Sequence, residues 1–223
     1  LAISFAERAA GTLEVPAVPA ASDESAPVSV AVDLAVDAPL ARALHAAATA
    51  AGVPVVGVHY GATSGPHDCY PLDWGAVVPL WFLGARFTAP PRVVLAVPSR
   101  ALPLDAFIRF GRVIAEVAAA AATRVALVAS ADLAHAHAAE GPYGFDPAAE
   151  HFDSWLTGAV RADDLSRLEH PDLALVEAAK PDGLWQILVL AGARQHTPLR
   201  GEFLSYERPT YYGMLCAAYA PAG

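Results

Sequence analysis

The sequence predicts an α/β fold: a single domain with a central mixed, mostly parallel sheet, flanking helices and a C-terminal antiparallel strand pair. Three observations predict it. Short Val-rich runs alternate with Ala- and Leu-rich helical stretches along most of the chain, the β-α-β order of a parallel sheet. Residues 124–129, RVALVA, run apolar into the polar loop SADLAHAH, as expected of a central strand buried on both faces. Residues 199–206 and 212–219 then form two strand-like runs around a short turn, an antiparallel pair at a sheet edge.

Taken in order, residues 12–27 (TLEVPAVPAASDESAP) carry Pro, Ser and Ala without an apolar period and read as a surface loop. A strand follows at 28–32. Pro39 opens an Ala-rich helix to about residue 51, with Asp37 as its cap, and Gly52 ends it. Residues 53–58 are a short strand, 59–73 a polar loop and 75–83 a short apolar helix whose Trp81, Phe82 and Leu83 read as core. Next come a strand at 92–97, a helix at 104–122 and the apolar strand at 124–129. Helices at about 147–161, 171–178 and 183–194 precede the final pair.

The chain has 223 residues, 55% hydrophobic and 17% charged, enough to bury a substantial core and far from a disordered composition. With 14 Lys and Arg against 23 Asp and Glu the formal charge is −9. That argues against nucleic acid or an anionic membrane as partner. No run reaches the ~20 apolar residues of a membrane span. Cys69 and Cys216 form no CxxC and fit a reducing cytoplasm. The chain opens at Leu1 without a methionine, so residues 1–223 are expected to be one domain lacking an N-terminal segment.

Four segments carry chemistry in a fixed order: LDWGAVVPLWFL (72–83), VALVASADLAHAH (125–137) leading into FDPAAEHFDSWL (145–156), EAAKPDGLWQILVLAGA (177–193) and LSYERPTYYGMLCAAY (204–219). Together they resemble the class III extradiol ring-cleavage dioxygenases, typified by the protocatechuate 4,5-dioxygenase β subunit. That family has a D-H-G-x-x-V-P-L turn, S-G-D-L-S-H after a strand, an acidic residue ahead of a glycine-containing helix start, and a closing strand pair. The resemblance spans residues 28 to 220. Memo-like proteins, which are non-enzymatic metal-binding or signalling relatives, share it.

The resemblance implies that ferrous iron, or another divalent metal such as zinc, and O₂ open a catechol-type ring, as in aromatic catabolism. His135 maps onto the family's acid–base histidine; imidazole exchanges protons near neutral pH. Its alternative is a loop histidine bonded to backbone. Asp132 orients the loop or a nearby imidazole, and His137 reads as a solvated neighbour. Glu177 maps onto the carboxylate metal ligand; its alternative is an ordinary exposed helix glutamate. The family's two metal histidines fall upstream of this chain, and His67 with Asp68 and Cys69 is a poor substitute.

The family's D-H-G is here Asp73-Trp74-Gly75, which implies substrate contact by Asp73 and Trp74. An indole donates but cannot accept, so Trp74 can stack on a ring or plug the pocket but cannot shuttle protons. Arg208 reads first as an exposed hairpin charge and secondly as a bidentate partner for a substrate carboxylate. The implied partners are a catechol-type molecule and O₂. A homo-oligomer or a small accessory subunit stays open.

Overall fold

A computed structural model describes residues 1–15, 28–84 and 87–221. It has the α/β class, with mixed sheets and a C-terminal antiparallel pair. The chain forms two compact units, Leu1–Ala50 with Pro54–Ser99, and Ala51–Val53 with Arg100–Gly223.

The first unit contains β1 (Ala2–Ser4), β2 (Arg8–Val15), β3 (Val28–Ala35), α1 (Ala38–Ala50), β4 (Val56–Val58), β5 (Cys69–Pro71), α2 (Trp74–Gly84) and β6 (Ala96–Val97). Strand β1 lies between β4, parallel to it, and β6, antiparallel. Strand β2 lies between β3, antiparallel, and β5, parallel. Alternate residues of a strand share a face, so Val32, Leu34 and Val36 join Ala9, Leu72, Val77 and Val93 in one core. Asp37 caps α1 by accepting the Leu40 N–H at 3.1 Å.

Several expectations change here. Residues 12–15 are strand and not loop, because the β2–β3 ladder runs on to Val15 opposite Val28; residues 16–27 of that predicted loop lie outside the described residues. The polar segment 59–73 contributes β5. The predicted strands at 53–58 and 92–97 shrink to Val56–Val58 and Ala96–Val97. Trp81, Phe82 and Leu83 are exposed and not core. Helix α2 is apolar all round, yet one helix face against a sheet can cover only one stripe, and Val77 is its buried residue. Asp68 is buried against His59, whose Nδ1 lies 3.0 and 3.1 Å from its two oxygens, so Asp68 is not gathered with its neighbours His67 and Cys69.

The second unit contains α3 (Leu104–Ala120), α4 (Ala148–Arg161), a 3-10 turn (Leu165–Leu168), α5 (Leu173–Ala179), α6 (Leu184–His196) and the hairpin β7 (Leu199–Glu207) and β8 (Met214–Pro221). Helices α3 and α6 meet through glycines. A Cβ at Gly111 would collide with the Val189 carbonyl oxygen, and one at Gly192 with that of Ile108. Phe107, Phe110, Leu184 and Leu188 are buried on the same two helices.

Residues 124–129 do not form the expected strand. They carry no helix or strand, and Val125, Leu127 and Val128 are exposed. Strand formation needs a neighbour's N–H and C=O groups, and this segment joins none of the ladders among the described residues. No helix among the described residues is long and apolar enough to cross a membrane.

Gly192→Ala should lower the stability of the chain by about 1–3 kcal/mol, the range for overpacking a close-packed contact. Urea denaturation reads this directly, and an unmoved midpoint would contradict the close helix crossing.

Candidate active site

Residues 132–137 leave regular structure, so their backbone N–H groups must find partners elsewhere. Leu133 donates to the Gly213 carbonyl at 2.9 Å, His135 to that of Ala179 at 3.0 Å, and His137 to that of Tyr211 at 3.2 Å. Gly213 returns a bond from its N–H to the Ala134 carbonyl at 3.1 Å. The loop is thereby held between the end of α5 and the turn of the β7–β8 hairpin.

This anchoring buries His135 and fixes its proton. Its Nδ1 lies 3.0 Å from the Leu133 carbonyl oxygen. A carbonyl can only accept, so Nδ1 carries the hydrogen and Nε2 keeps its lone pair in the neutral ring. Nε2 faces two carboxylates, Asp132 Oδ2 and Asp182 Oδ2, each at 3.8 Å. Tyr212 stacks on the imidazole with ring centroids 5.3 Å apart, and Tyr143 and Tyr211 approach it at 5.7 Å each.

Asp182 arrives by way of Gly183. A Cβ there would collide with Ala131 and stand 2.5 Å from the Asp132 carbonyl oxygen, so only glycine lets the start of α6 press against the loop. Arg100 pairs with the other oxygen of Asp182 and lies 4.5 Å over the Trp185 ring. Burial raises the Asp132 carboxyl above its ordinary value, and the nearby His135 offsets part of that rise.

Of the carboxylates, Glu177 lies away from this group. Its side chain is 82% exposed and bonded to Lys180 at 2.6 Å, which holds its carboxyl below the ordinary value. The carboxylate brought to His135 is Asp182, which sequence reasoning passed over. The available signal was Asp182 standing directly before Gly183, where a missing side chain permits close approach.

His137 is buried and not solvated. Its Nε2 lies 2.8 Å from Asp153 Oδ2, and Arg208 lies 3.2 Å from its Nδ1. A guanidinium only donates, so Arg208 is engaged with this ring. In the first unit, Asp73 caps α2 by accepting the Ala76 N–H at 3.0 Å, and Trp74 is 48% exposed.

Asp132, His135 and Asp182 each offer one ligand atom, all within 4.8 Å of one another. Separations of 3.8 Å are too long for hydrogen bonds. They do suit donors shared around an ion, since ligands ~2.1 Å from a metal stand roughly 3–4 Å apart. The group therefore fits a divalent cation.

The class of protein follows from nearly the whole chain: it belongs to the family described as the catalytic LigB subunit of aromatic ring-opening dioxygenase, whose model matches residues 9–217. In particular, it is similar to Protein CA_C1420 of Clostridium acetobutylicum, 29% identical over 136 residues. That match covers 61% of this chain and 29% of the relative, so the shared part is under a third of that protein's length.

The raised carboxyl of Asp132 has a consequence for stability. A folded value above the unfolded one means that the native state binds the proton more tightly, so stability falls as pH rises through that window. Asp132→Asn should therefore raise the melting temperature of the metal-free protein at pH 7. The gain should shrink as pH drops to the ordinary carboxylate range, where Asp132 is itself neutral. A lower melting temperature at pH 7 would show that its charge is compensated.

Proposed function

We propose that this chain is the catalytic part of a cytoplasmic ring-opening dioxygenase that cleaves a catechol-type ring in the extradiol position, using Fe(II) and O₂. The observation that carries the reading is the His135 imidazole: Nδ1–H held on a backbone carbonyl, Nε2 open toward two carboxylates. Within a family of ring-opening dioxygenases, this is the arrangement a proton-transfer group needs.

In this reading Asp182 stands on the metal side, in the place the resemblance implied for Glu177, and Asp132 shares the cation and faces the imidazole. Iron, when bound, supplies the redox chemistry with O₂. His135 takes a proton from a ring hydroxyl at Nε2 and returns one to the departing oxygen. Tyr143, Tyr211 and Tyr212 make an aromatic surround beside the reacting nitrogen. By the resemblance alone, Trp74 is a ring contact and not a proton carrier; within its own unit Asp73 holds its helix start. Arg208 acts through His137, to whose Nδ1 it donates.

The close spacing of the three donors also favours a second reading, in which His135 is itself a metal ligand. One pair of measurements separates them. If His135 is the acid–base group, His135→Ala keeps its iron after anaerobic loading and slows catechol turnover by roughly 10²–10⁴. Loss of iron in that variant assigns His135 to the metal. Asp182→Ala should lose the bound iron, whereas Glu177→Ala should retain it; the reverse pattern would restore Glu177 as the ligand. Metal retained with no catechol turned over by the parent protein would favour a non-enzymatic metal-binding relative, the direction in which Trp74 points.

A further inference from the structure

Asp153 touches none of the three metal-fitting groups, yet it is buried and collects three donors on one carboxylate. Its Oδ1 accepts the Ala134 N–H at 2.9 Å, the peptide next to His135. Its Oδ2 accepts the His137 Nε2–H at 2.8 Å and the Tyr206 hydroxyl at 2.6 Å. Gly213 packs against the same oxygen: a Cβ there would collide with that Oδ2 unless the carboxylate moved. Asp153 lies on α4, Ala134 and His137 on the catalytic loop, and Tyr206 on β7. One carboxylate thus ties three segments together.

The far side of the network is closed as well. Arg208 sits at His137 Nδ1, which requires a bare nitrogen there and leaves the ring's hydrogen on Nε2 for Asp153. The Tyr206 hydroxyl is pushed well above its ordinary value, first by burial and then by its bond to Asp153, so it stays a donor at any working pH. An unpaired carboxylate at this depth would be costly, and its three donors remove that cost only while the loop and the hairpin turn stay docked. The turn carries Tyr211 and Tyr212 onto the His135 ring.

We propose that Asp153 is a positioning residue for His135: its three-donor carboxylate locks the loop that fixes the imidazole's hydrogen and holds the tyrosine-bearing turn against the ring. The proposal rests on the reading of His135 as the reacting group. It predicts that the site's order depends on Asp153 more than on an equal amount of core packing.

The test is imidazole NMR on the ¹⁵N-labelled, metal-free chain. The parent should show His135 in one tautomer, with a slowly exchanging Nδ1–H. Asp153→Asn has one acceptor oxygen where three donors arrive. It should mix the tautomers and speed Nδ1–H exchange by at least tenfold, at temperatures where it is folded. Phe152→Leu, a neighbouring core change, serves as the stability control and should leave the signature intact. Tyr206→Phe removes one donor and keeps the carboxylate; it should speed exchange about threefold. An unchanged signature in Asp153→Asn, or equal loss in Phe152→Leu, would overturn the proposal. Should Asp153→Asn not fold, an unchanged signature in Tyr206→Phe overturns it. The iron and turnover assays decide the reading of His135 independently, because this measurement uses neither metal nor substrate.

Discussion

The site depends on one backbone constraint: a loop that leaves regular structure must still satisfy its N–H groups. Leu133, Ala134, His135 and His137 do so on four different acceptors, from the hairpin turn, α4, the end of α5 and the turn again. Each bond is worth about 1 kcal/mol net, whereas leaving one buried and unmade would cost more. The loop is therefore set by surrounding elements. The position of the His135 ring is a consequence of that anchoring, as is the proton it keeps on Nδ1.

Around the ring, charge is arranged at some cost. Burial disfavours the Asp132 anion, and Asp182 shares its carboxylate with Arg100 while facing the imidazole. A chain optimised for stability alone would neutralise such a group. Buried charge on a well-anchored loop is where function and stability can part company. The second imidazole nearby, His137, shows the opposite arrangement, since both its nitrogens are engaged by Asp153 and Arg208. Two histidines two residues apart thus have different hydrogen-bonding environments.

Much of this was legible in advance. Helices α1, α3, α4, α5 and α6 fall within about two residues of their expected spans, because helical periodicity and capping are local signals. The hairpin and the Asp37 cap were legible for the same reason. The irregular loop that holds His135 and Asp132 was legible as a polar stretch after an apolar run, whereas their roles rest on the family resemblance. Residue type does not distinguish Glu177 from Asp182, because both precede α6 and only the close approach at Gly183 brings Asp182 to the ring. The segment 124–129 misled for a related reason: apolar character does not provide a partner strand.

The amino-acid sequence by itself determined the α/β class, the helices, the acidic balance and the presence of an imidazole in a loop after an apolar run. These follow from periodicity, composition and short motifs, which act over a few residues. The tertiary structure decided which carboxylate faces His135, which histidine is committed to Asp153, and which nitrogen of each ring carries hydrogen. Those outcomes depend on groups separated by 19 residues at Asp153 and Ala134 and by 71 at Arg208 and His137. No local pattern encodes such pairings, because they exist only once separate segments have been packed together and every buried polar group has found its partner.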